Sequence, residues 1–95
     1  MSGIYNGQSK SEFDKNYKRV LDIVNKSDGD EDKAIRLAKT QAHRITDEWK
    51  AINRAMAAKE KGHEYIFEVF FQRAYELGSV TKQDYRDYKL SKLGI

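Results

Sequence analysis

Apolar side chains recur along this chain at the spacing of an α-helix. Phe13, Tyr17, Val20, Leu21 and Val24 stand at i, i+4, i+7, i+8 and i+11, on one helical face. Ser9 and Glu12 have capping-box spacing, so a first helix is predicted from Lys10 to Lys26. The polar run from Lys26 to Asp30 ends it. Asp30 suits an N-cap, and Glu31 and Asp32 suit the positive end of the helix that follows. Neither glycine nor proline interrupts the chain before Gly62, which predicts a second helix of about 31 residues, roughly 45 Å long. Along it Ala38, Ala42, Ile45, Trp49, Ile52 and Met56 alternate spacings of four and three, the seam of coiled coils and bundles. Trp49 lies mid-seam and is expected to be buried.

Gly62 suits the left-handed position that stops a helix. The third predicted helix, His63 to Leu77, carries Ile66, Phe67, Val69, Phe70, Phe71, Ala74 and Leu77 over more than half its circumference. Such a helix is either central or covered in part by another chain. Gly78 ends it. Thr81 then reads as an N-cap with Asp84 at its third position, and Val80 can staple onto Tyr85. The fourth predicted helix runs from Lys82 to Leu93 and Gly94 closes it. The expected fold is all-α: a four-helix bundle over residues 9–95, with a long second helix and a short C-terminal helical hairpin. Residues 1–8, with Gly3, Asn6 and Gly7, read as a flexible N-terminal arm.

Composition narrows the function. Cysteine is absent, which excludes disulfides, thiolate metal sites and cysteine nucleophiles. Proline is also absent, in keeping with long helices. No apolar run approaches bilayer length, and the first ten residues lack the apolar stretch of a secretion signal. The chain is therefore expected to be cytoplasmic, with no membrane partner. Its net charge of +3 permits a polyanionic partner without demanding one.

Candidate chemistry is sparse. Asp28, Asp30 and Asp32 open like a calcium loop, but Lys33 and Lys39 stand where the turn glycine and the bidentate acid belong. An acid-rich helix start accounts for them. His43 and Asp47 form an i, i+4 pair, and His63 and Glu64 adjoin a helix start, without metalloenzyme spacing. No serine lies in a G-x-S-x-G turn, and no glycine-rich phosphate loop is present. The expectation is a non-enzymatic protein with no metal and no cofactor.

Two segments resemble known families. Glu76-Leu77-Gly78-Ser79-Val80-Thr81-Lys82-Gln83-Asp84-Tyr85, with Lys89 and Leu93-Gly94, resembles the short C-terminal helical hairpin called SHOCT. The resemblance spans residues 74–94 and implies an appendage for oligomerisation or binding. Aromatic residues stand where that family's first helix has leucines. Residues 35–62, beginning Ile35-Arg36-Leu37-Ala38-Lys39-Thr40-Gln41, resemble a helix of Mu-type phage minor head proteins, with Gln41 in place of the family's usual Glu. That family's tryptophan-containing strand and R-x-x-H motif are missing. The pair of resemblances implies a phage or mobile-element accessory protein.

Two functional readings follow. The first is a small interaction module acting through protein–protein binding or self-association. Trp49, Phe67, Phe71 and Tyr75 would form its interface, being of residue types enriched at such surfaces. A homodimer is expected: the second helix outruns its neighbours, Ala38 and Ala42 admit a close partner, and the third helix is apolar on nearly all sides. The alternative is nucleic-acid binding, through Arg36, Arg44 and Arg54 on helix two or Lys82, Arg86 and Lys89 on helix four, where Tyr85 and Tyr88 could stack bases.

Overall fold

The computed structural model describes residues 7–92, and among them the chain forms five helices. These are α1 (Lys10–Ser27), α2 (Glu31–Arg44), α3 (Glu48–Glu60), α4 (Glu64–Leu77) and α5 (Lys82–Lys92). The local end signals act as predicted. Ser9 Oγ accepts from the Glu12 amide at 3.2 Å, and Asp30 Oδ1 from the Lys33 amide at 3.2 Å. Gly78 takes φ +102° beyond α4, where its amide donates to Ala74 O at 3.0 Å. Thr81 Oγ1 accepts from the Asp84 amide at 3.1 Å. Most of the proposed flexible arm lies outside the described residues, as does the Leu93-Gly94 end of the last helix. Gln8, however, is tied down, donating to Asn53 O at 2.9 Å and accepting from Asn16 Nδ2 at 3.1 Å.

The predicted long second helix is in fact two. Ile45 turns extended, at φ −81° and ψ 123°, and Asp47 begins a new helix by accepting from the amides of Trp49 (2.8 Å) and Lys50 (3.3 Å). A cap of this kind is strong enough to restart a helix without glycine or proline. The break strands the Ile45 carbonyl, and Arg73 of α4 takes it, donating from Nε at 3.1 Å and Nη2 at 2.9 Å. The α2–α3 corner is thus held from outside its own sequence.

The corner also changes which residues face inward. Ala38, Ala42, Ile45 and Ile52 keep their buried places, and Met56 is partly buried. Trp49 does not: it is 43% exposed in the first turn of α3. Burial in α3 falls instead on Ala51, Ile52, Ala55 and Ala58. Both α1 and α4 pack on α2 and on α3, while α5 lies lightly against α4. The alanines Ala34, Ala38, Ala42, Ala51, Ala55 and Ala58 let these backbones approach closely, and the larger Val20, Ile23, Ile66, Phe67 and Phe70 fill the remaining core. Among the described residues no helix is long and apolar enough to cross a membrane.

Candidate binding groove

The corner opens a groove between α1 and the start of α3. Its volume is about 690 Å³, and Trp49 stands on its wall. Lys15, Lys18 and Arg19 reach it from α1, and Lys50 and Arg54 from α3. A continuation of about 280 Å³ shares Arg19, Asp47, Lys50 and Arg54 and adds Arg44 from the end of α2. Three acids also line the groove, and each is engaged. Asp47 caps α3, Asp22 pairs with Lys26 at 3.2 Å, and Glu12 Oε2 accepts from Asn53 Nδ2 at 3.4 Å. Six basic side chains against three acidic ones leave a surplus of three, which equals the net charge of the whole chain, +3. The groove therefore concentrates the positive excess of the molecule.

Arg54 sits at its base with only 8% of its surface exposed. Its partners are neutral. Nε donates to Asn16 Oδ1 at 3.3 Å, Nη1 donates to Gln41 Oε1 at 2.8 Å, and the guanidinium lies over the Phe70 ring, 5.7 Å from the centroid. Burial, and then the neighbouring charge of Arg19, lower its pKa from the ordinary guanidinium value to about 10. A buried cation with another cation nearby and, among the described residues, no carboxylate paired with it is costly, and an incoming anion relieves that cost.

A second groove of about 430 Å³ lies among α2, α4 and α5. Its charges offset one another: Lys39, Arg73 and Lys89 face Glu68 and Glu76, and Arg73 pairs with Glu76 at 3.3 Å. It holds no comparable excess.

The residues singled out from sequence fall in several places. Arg44 and Arg54 meet at the basic groove, whereas Arg36 lies exposed on α2 and lines none of these grooves. Phe67 and Phe71, at 1% and 2% exposure, are covered by this chain's own helices. Tyr75 is partly buried and stacks on Tyr85 with centroids 4.5 Å apart. Tyr85 stacks on Phe71 at 5.9 Å and Tyr88 meets Phe67 edge-on at 5.1 Å, so both rings are engaged within the protein. Of the α5 cations, Lys82 and Arg86 are exposed and Lys89 lies over Tyr85 at 5.3 Å. Ala38 and Ala42, expected to admit a second copy, are buried, as α2 packs on α1 and α4.

Sequence reasoning missed Lys15, Lys18, Arg19 and Lys50. The i, i+4 spacing of Lys15 and Arg19 marks a basic edge on α1, but nothing local says that it faces Trp49. No protein-family model, curated protein or solved structure matches this chain, so the resemblances to SHOCT and to phage minor head proteins rest on the residues quoted for them.

Proposed function

We propose that this chain is a small non-enzymatic binding module whose working face is the groove between α1 and α3, and that its partner there is negatively charged. One observation carries the reading: the protein's only tryptophan is 43% exposed in the groove that concentrates its positive excess. Tryptophan and arginine are the residue types most enriched at the energetic centres of binding surfaces, and here they line one groove. The lining of cations, amides and an indole suits holding an anion better than acid–base or nucleophilic work.

Retention on immobilised heparin tests the proposal. Wild-type protein is expected to bind at about 50 mM salt and elute as salt rises. Reversing Lys15, Lys18 and Arg19 together to Glu should abolish retention while the melting temperature holds, since all three side chains are exposed. Reversing Lys82 and Arg86 on α5 should change retention little. Flow-through of the wild type, or equal retention of the α1 variant, removes the reading.

A further inference from the structure

We infer that the partner of the α1–α3 groove is single-stranded nucleic acid, with phosphates held by Arg54, Arg44, Arg19 and Lys50 and a base stacked on Trp49. The inference rests on the anion-binding reading above and adds the ligand class.

Arg54 gives the first reason. A guanidinium carries five N–H donors in a planar fork. Here Nε and Nη1 donate to amide oxygens of Asn16 and Gln41, which fix its position, and donor capacity remains for an incoming oxygen. With Nε and Nη1 engaged, Nη2 is the nitrogen left to donate, and a guanidinium held by side-chain amides and by the ring of Phe70 can offer it to a phosphate oxygen at the base of the groove. Arg19 and Lys50 line both parts of the groove, and Arg44 extends the positive wall past the corner. The three groove acids offset only half of the six cations, and each is held by other partners. Asp47 accepts from two backbone amides, Asp22 is paired with Lys26, and Glu12 lies toward Asn53.

Trp49 decides between anions. Trp49 and Lys50 of the first turn of α3 both line the groove, so an indole and an ammonium are offered to one ligand. An acidic peptide would satisfy the cations but give the indole nothing to stack on. A duplex would satisfy them too, but its bases are already stacked inside it. An unpaired strand supplies both components, phosphate for the guanidinium groups and an exposed base for the ring. The phosphate and stacking contacts carry no sequence information, so weak dependence on base sequence is expected.

The single tryptophan makes the test direct, because its emission reports this groove alone. A single-stranded 12-mer of DNA or RNA should bind and quench that emission. About four neutralised phosphates should give a log–log salt slope near −3. Trp49→Ala should weaken binding by about 5- to 100-fold, and Trp49→Phe should restore part of it. Arg44→Ala with Lys50→Ala should flatten the slope, and because both side chains are exposed the fold should hold. Arg54→Lys, which keeps the charge and loses the guanidinium, should weaken binding several-fold, read at a temperature where the variant is fully folded because its lost hydrogen bonds also lower the melting temperature. Three results overturn the inference: no quenching by either oligonucleotide at about 50 mM salt, equal affinity for the matching duplex, or equal affinity for a poly-glutamate peptide. If heparin is still retained in those cases, the anion-binding reading stands and only the ligand class fails; if heparin also flows through, both fail.

Discussion

Arg54 of α3 donates from Nε to the side-chain oxygen of Asn16 on α1, 3.3 Å away, and among the described residues no carboxylate pairs with it. Asn16 also donates through Nδ2 to Gln8 Oε1 at 3.1 Å and to Glu12 O at 3.0 Å. One buried amide therefore ties the N-terminal segment, α1 and α3 together and holds the guanidinium at the groove. The two residues should respond differently to substitution. Asn16→Leu leaves a buried charge short of an acceptor and should cost about 2–3 kcal/mol. Arg54→Met removes the buried charge but leaves the Asn16 and Gln41 side-chain oxygens without its donors, and should cost about 1 kcal/mol, less than Asn16→Leu. Urea unfolding of both variants checks this, and the reverse order would mean that Arg54 is an asset to the fold rather than a site residue.

Trp49→Ala should cost less than about 1 kcal/mol, because the ring is exposed. Phe70→Ala, at a fully buried position, should cost about 3–5 kcal/mol. Thermal melts of the two variants side by side suffice. Comparable losses would place Trp49 in the core, as the unbroken seam predicted.

Arg73 closes the α2–α3 corner with two hydrogen bonds to Ile45 O. Arg73→Met should cost about 2–3 kcal/mol, and Arg73→Lys should recover part of it with one donor in place of two. Asp47→Ala, which removes the cap on the other side of the same corner, should cost about 1 kcal/mol. Should both be silent, the corner is set by packing rather than by these polar contacts.

Tyr88 bears on alkaline stability. Burial raises its pKa well above the ordinary tyrosine value, helped by the hydrogen bond to Glu64 at 3.0 Å and by that carboxylate's charge. The folded state thus keeps a proton that the unfolded chain gives up near pH 10. The resulting stabilisation is complete below about pH 10 and drains away as the pH rises toward the folded-state pKa. Arg54 has the opposite sign. Its folded-state pKa of about 10 lies below the ordinary guanidinium value, so between the two the unfolded chain holds the extra proton and folding gains with rising pH. Comparing wild type with Tyr88→Phe isolates the tyrosine. The wild type should show a late phenolate step at 295 nm and a steeper loss of stability above pH 10, both absent from the variant.

Gly78 is the glycine with the least latitude. Its φ of +102° disfavours a side chain, and an added Cβ would lie 3.3 Å from Glu48 Oε2. Gly78→Ala should cost about 1 kcal/mol or more through backbone strain alone. A melting temperature equal to that of the wild type would show that the α4–α5 turn relaxes freely.

The sequence by itself determined what is decided within a few residues. Ser9 with Glu12, Asp30, Gly78, and Thr81 with Asp84 mark helix ends because each satisfies or frees backbone groups of its own turn. The apolar circumference of Ile66 to Leu77 likewise announced a helix covered on several sides. The corner at Ile45–Asp47 was not legible, although Thr46-Asp47-Glu48 reads locally as a helix start. Continuing α2 through Trp49 would preserve every backbone hydrogen bond and an unbroken seam, so local preference leaves the choice open. Tertiary structure settled it: Arg73, 28 residues further on, supplies donors to the carbonyl that the break exposes. Once the corner forms, the seam is cut, Trp49 turns outward, and Lys15 and Arg19 of α1 come to line one groove with Lys50 and Arg54 of α3. Periodicity assigns a residue to a face of its own helix, whereas the charge of a groove between two helices depends on how those helices pack.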